Sequence, residues 1–249
     1  MLSTHDVFIA LVTVHITTGA CGLIAFWVPV AGRKGGKNHR RFGHWFVNAL
    51  LATGATAVLI AITTLIDPVA THPHLSTHEL FANPEMIRAI FGWLMLYLAV
   101  LTVNLTWHGK LALEHRRRHR DTATPFNLFL QLALIATAAN CALQGLLQGQ
   151  VMMLAMPLVG FATVGTNVWF MLKPEPKPHD YVKEHIKNLV GAGISVYTAF
   201  FAFGAVRLMP ELALTPGLWA VPLVTGLGLI IYHQHVVTKQ FQPRGVLAG

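Results

Sequence analysis

Imidazole is the most chemically versatile side chain in this sequence, and at 14 copies it outnumbers the 10 carboxylates. A neutral imidazole accepts a proton near neutrality, ligates transition metals and serves as a haem axial ligand. His44, His108, His185 and His233 all lie near the ends of apolar runs. Two of them are spaced one helical turn from an amide, as His44 with Asn48 and as Asn104 with His108, so each pair shares a helix face. Asn48 and Asn104 are therefore placed to orient the rings of a cofactor site. His15 sits ~12 Å inside the first apolar run at 1.5 Å per residue. It can bond across to a Thr, or to Asn140 or Gln144, or belong to an outer cofactor or proton-relay site. His72, His74 and His78, with Glu79 beside them, are dense enough to hold Zn or Cu, or else form a solvated loop.

These residues need elements to hold them, and the elements are apolar. The chain is 54% hydrophobic and 11% charged, a composition solvated by lipid. Apolar runs cover 7–31, 42–66, 86–107, 126–147, 151–172, 189–209 and 218–237, each close to the ~20 residues a helix needs to cross hydrocarbon. The sequence predicts an all-α, polytopic membrane protein: one seven-helix transmembrane domain spanning 1–249. Sixteen of the 18 Lys and Arg fall in 33–41, 110–120, 173–187 and the tail from 239, always at the same end of a run. With basic loops inside, the amino terminus lies outside and the carboxyl terminus in the cytoplasm, leaving only Arg88 and Arg207 at outer ends. Trp27, Trp45, Trp107, Trp169 and Tyr232 mark the inner interface and Trp219 the outer one. The first run lacks the basic n-region of a signal peptide and reads as a retained helix.

The formal charge of +8 follows from orientation and from anionic headgroups, for which Arg40, Arg41, Arg116, Arg117 and Arg118 are the candidate contacts. The bilayer is the expected partner, and nucleic acid is not. Cys21 and Cys141 lie in separate runs without CxxC spacing and read as buried free thiols. Pro29, Pro157 and Pro222 should bend their helices, and Pro174, Pro176 and Pro178 make an extended spacer followed by a short polar lead over 180–188.

No Asp, Glu, Lys or Arg falls in the middle of a run, which disfavours proton pumps, ion-coupled antiporters and voltage sensors. Amides and imidazoles take their place. Asn127, Gln131, Thr163, Asn167 and Asn188 join the inner histidines in one half of the bundle, where lipid cannot satisfy them. A polar cavity facing the cytoplasm is the expectation. GxSxG, P-loop and HExxH signatures are absent from the sequence.

The HxxxG element at His15 and Gly19, with the KG…HRRxG loop formed by Lys34, Gly35, His39, Arg40, Arg41 and Gly43, resembles an uncharacterised family of predicted bacterial membrane proteins. The resemblance covers about the first fifth of the chain. It implies a multi-pass protein of the bacterial inner membrane and supplies no activity. Gly35 and Gly36 would permit the tight reversal between two long helices.

The sequence thus leads to a membrane protein whose histidine and asparagine cavity binds b-type haem, a quinone or a transition metal ion for electron transfer. The rival readings are a channel, carrier or sensor for a small solute, and an accessory or assembly subunit of a larger membrane complex.

Overall fold

The computed structural model describes residues 3–75, 81, 83–204 and 216–241, apart from the side chains of Ala202, Phe203, Pro216 and Trp219; the described residues hold no strand. Seven long helices carry the fold: α1 Thr4–Ala31, α2 Lys37–Ile66, α3 Pro84–Glu114, α4 Pro125–Gln148, α5 Val151–Leu172, α6 Asp180–Ala199 and α7 Pro216–Phe241. Among the described residues, six are long and apolar enough to cross a membrane, α7 counting from Ala220.

The exception is α6, which covers the start of the sixth expected run. The polar lead expected over 180–188 is the first half of this helix, which begins at Asp180 and continues into a π-helical turn, Phe200–Gly204. The remainder of the expected 189–209 run lies outside the described residues. Glu184 and Lys187 therefore belong to a bundle helix, and Glu184 is buried.

Local chemistry sets the helix ends. Ser3 accepts from the Asp6 amide while Asp6 reaches back to the Ser3 N–H, a capping box that opens α1. Thr124 caps α4 ahead of Pro125, and Gly149 ends it at φ +64°. Gly35, at φ +71°, makes the reversal from α1 to α2. Pro157 divides α5 at Met156. The Pro ring withholds the amide that Met153 O would accept, and the Cys141 thiol donates there instead at 3.7 Å. Cys141 is buried, whereas Cys21, expected to be, is exposed on α1.

Helix α3 is the hub. It packs against α2, α4, α5 and α6, while α1 leans on α2 and α7 on α6. Close approach at small residues makes this possible where lipid supplies no hydrophobic drive. A Cβ on Gly109 would stand 2.9 Å from Leu189 Cδ2 and 3.0 Å from Asn188 Cβ, so α6 reaches α3 only because Gly109 has none. Gly226 admits Ile194 in the same way between α7 and α6.

The basic segments gather at one end, where His119 donates to Lys173 O and His179 stacks on Phe241. At the other end His72 is buried, its ring 5.0 Å from Phe8 and 4.5 Å from Phe91, so it is a packed residue of the rim, not part of a solvated loop. Burial, with His74 nearby, pushes its pKa down to about 4. An unfolded His72 takes up its proton near pH 6.5, whereas the docked one resists until about pH 4, so docking is strongest at neutral pH and weakens as pH falls. Stability against acid should fall by roughly 1.4 kcal/mol per pH unit across that window. His72→Phe should flatten the dependence, measured as the unfolding midpoint in mild detergent between neutrality and pH 4.

Candidate functional site

Four helices each bring one polar pair at i,i+4 spacing to the hub: Asn104 and His108 on α3, Asn127 and Gln131 on α4, Thr163 and Asn167 on α5, Glu184 and Asn188 on α6. All eight side chains are buried. Lys187 completes the set from α6. Its ammonium donates to Glu184 Oε1 at 2.6 Å, Thr166 Oγ1 at 3.0 Å and Asn167 Oδ1 at 3.1 Å, one acceptor for each of its three protons.

From Lys187 a chain of bonds runs one way round a ring. Asn167 Nδ2 donates to Gln131 Oε1 at 3.5 Å and to Asn104 Oδ1 at 3.1 Å; Gln131 Nε2 donates to Asn127 Oδ1 at 3.2 Å; Asn127 Nδ2 donates to His108 Nδ1 at 3.0 Å. His108 Nε2 then lies 3.2 Å from Glu184 Oε1, at ion-pair distance but off the line of a straight hydrogen bond. Glu184 Oε1 also receives Asn188 Nδ2 at 2.9 Å. The cation is the source of the chain and the carboxylate its sink.

One carbonyl fixes the sense of the whole ring. Thr122 O lies 2.8 Å from Asn127 Nδ2 and can only accept, so the Asn127 nitrogen must face it and His108. His108 Nδ1 is then an acceptor, and the ring is a neutral imidazole with its proton on Nε2, toward Glu184. Nδ1 of His108 is thereby committed to Asn127, and Nε2 faces the Glu184 carboxylate without a straight hydrogen bond. With Lys187 and Glu184 opposing each other, the buried layer is electrically neutral.

The other expected histidines stand elsewhere, around a half-enclosed cavity of about 220 Å³ at the basic end. His44, Asn48, His185 and His233 line it, as expected of the site, and His39 joins them, but His108 and Asn104 do not. His44 and His108, both expected in one site, are thus held in separate ones. His44 and Asn48 lie on an exposed face of α2, while Asn104 and His108 are buried in the ring.

Phe26, Phe46, Val47, Leu189 and Val190 wall the cavity, and Lys34, Arg40, Lys110 and Glu114 approach it. Three of its imidazoles share one feature: Nδ1 faces a backbone carbonyl. His39 donates to Pro29 O at 3.1 Å, His44 to Arg40 O at 2.6 Å, and His185 to Gly109 O at 3.0 Å. A carbonyl only accepts, so in each neutral ring Nδ1 holds the proton and Nε2 is a bare acceptor.

His15 bonds the α1–α2 seam, Nδ1 to Thr53 O at 3.0 Å, the threonine side of its expected partners and not span four. Gly19 sits against the Thr53 methyl, at 3.5 Å from a built Cβ. In the loop, Lys34 and His39 cap the free Pro29 carbonyl at the end of α1, Arg40 and Gly43 reach the cavity, and Arg41 lies over the Trp45 ring at 5.1 Å. Among the described residues no three His, Cys, Asp or Glu side chains converge as metal ligands; His72 and His74 are 6.1 Å apart between ring centres, and His78 lies outside the described residues.

Glu184 and Lys187 are the site residues that sequence reasoning missed. The i,i+4 polar pairing that marks the other three helices was present at Glu184 and Asn188, but it fell outside the apolar window.

No protein-family model matches the chain, and no curated protein and no solved structure matches it either.

Removing one member of the buried ion pair leaves the other uncompensated, which typically costs about 3–5 kcal/mol. Glu184→Leu should therefore lower the thermal midpoint in mild detergent sharply, and Lys187→Leu likewise. The double variant should recover most of the loss. Equal midpoints for wild type and Glu184→Leu would show that the ring does not hold the helices together.

Proposed function

We propose that this is a membrane protein that binds a redox-active ring lipid of the quinol and quinone class at the basic-end cavity, in the service of membrane electron transfer. The supporting observation is that His39, His44 and His185 line one apolar cavity, each with Nε2 left as a free acceptor. A quinol head group presents two hydroxyl donors on a flat apolar ring and is matched by such walls and acceptors. The volume of about 220 Å³ is below the ~300–1,000 Å³ usual for small-molecule pockets, and suits one substituted ring better than a tetrapyrrole. His108 also stands apart from this cavity, fully buried with Nδ1 bonded to Asn127 and Nε2 3.2 Å from the Glu184 carboxylate, which disfavours it as a haem ligand here. The metal reading lacks a converging ligand set among the described residues.

The carrier reading keeps one observation in its favour. Arg40 approaches the cavity with no carboxylate partner among the described residues, which suits a weakly acidic solute.

Organic extraction of protein purified from quinone-containing membranes should yield bound quinone, and a short-chain quinol should bind the emptied protein in equilibrium titration. Each lost acceptor bond is worth ~1 kcal/mol, so His39→Leu with His185→Leu should weaken the quinol by about 30-fold. A Soret band with stoichiometric iron would replace this reading with haem. Binding of a small carboxylate that depends on Arg40, with no quinol binding, would replace it with the carrier.

A further inference from the structure

A second cavity, of about 150 Å³, opens at the basic end between the turn that follows α3 and the linker that precedes α6. It is separate from the histidine cavity and the two share no lining residue. Arg116 and Arg117 enter from one side, Lys177 from the other, and His119 and Tyr181 complete the polar lining. We propose that this cavity is a binding site for a phosphate group, carried either by an anionic phospholipid headgroup or by a small soluble phosphate.

Charge comes first. Three cations converge on one small volume, and among the described residues none of the three side chains has an ion-pair partner. Of the acids nearby, Asp121 pairs with Arg118 at 3.8 Å, Asp180 pairs with Lys173 and accepts the Lys177 backbone amide at 2.9 Å, and Glu175 is exposed outside the lining and forms no ion pair with the three cations. Among the described residues no carboxylate pairs with Arg116, Arg117 or Lys177, so an external anion is what the cavity suits. Two guanidinium forks and an ammonium supply the paired donors that phosphate oxygens accept.

The walls are also held in place. His119 donates Nε2 to Lys173 O at 2.7 Å, and its ring packs 5.6 Å from Phe170, so the two loops that form the cavity are joined to each other. Pro176 and Pro178 restrict the linker backbone on both sides of Lys177. A diffuse basic patch needs none of this; a preformed site does.

The full chain can be tested in detergent and in nanodiscs. Native mass spectrometry after incubation with mixed phosphatidylcholine and cardiolipin vesicles should show one cardiolipin retained, and titration with inorganic phosphate or pyrophosphate tests the soluble source. Retention of lipid without phosphate binding identifies a headgroup site, and phosphate binding without lipid retention identifies a soluble ligand. Arg116→Gln with Arg117→Gln should weaken the bound species by about 30-fold, each near-surface cation contributing ~1 kcal/mol. Lys177→Gln, on the opposite wall, should weaken it by about fivefold. Arg33→Gln, at the same end but outside the lining, should leave it unchanged. The proposal is overturned if neither source binds, if Lys177→Gln has no effect, or if Arg33→Gln weakens binding as much as the cavity variants.

Discussion

Glu184 carries a carboxylate into the interior of a helix bundle, and lipid offers it no compensation. The nearest remedy is on its own helix, where Lys187 is one turn away, but an ion pair alone leaves two protons of the ammonium unsatisfied. Those protons go to Thr166 and Asn167 of α5. Asn167 then turns its nitrogen to α3 and α4, and the amides of Gln131 and Asn127 pass the polarity on to His108. Four helices must therefore meet at one depth and in one rotational setting for a single charge to be accommodated. Because every bond points from the cation toward the anion, each one polarises the next, and loss of any member leaves its neighbours with wrong-facing donors.

The histidine cavity depends on this layer without belonging to it. Gly109 follows His108 on α3 and His185 follows Glu184 on α6, and the Gly109 carbonyl accepts from His185. The same absence of a Cβ at Gly109 that brings α6 onto α3 for the ring also brings His185 within reach of that carbonyl. One helix contact therefore fixes the Glu184 position on one side and sets the His185 tautomer on the other. At the far wall the mechanism is different: α1 ends with its last carbonyls unpaired, and His39 is recruited to cap one of them. Backbone needs, met by imidazole Nδ1, leave a set of Nε2 acceptors on a shared cavity.

Much of this was legible in the sequence, for reasons that also define what was not. Hydropathy reports long apolar stretches and the side on which cations collect, so six helices and the common basic end follow from it directly. Burial of Asn127, Gln131, Thr163 and Asn167 follows too, because lipid cannot satisfy an amide. Helix spacing, however, states only that His44 and Asn48 share a face; it does not say which neighbour that face meets, and α2 turns this one outward. Glu184 and Lys187 were hidden by their own neutrality. Charge counting treats them as loop residues because each alone is too polar for a span, whereas together, three residues apart on one helix face, they make a unit that a bundle can bury.

That neutrality reconciles two features that pull in opposite directions, a strongly cationic chain and a buried ionic core. The net positive charge comes from the basic end, and the ring contributes nothing to it, since Lys187 cancels Glu184 and His108 is neutral. The core can therefore be polar without disturbing the charge asymmetry that orients a membrane protein. The cations of the surface, conversely, need not be paired internally, and Arg116, Arg117 and Lys177 are not. Interior charge is matched within one helical turn, while part of the surface charge, Arg116, Arg117 and Lys177 among it, has no ion pair among the described residues. A ligand of either cavity meets a protein whose internal electrostatics are already closed, so its own hydrogen bonds and charge decide whether it binds.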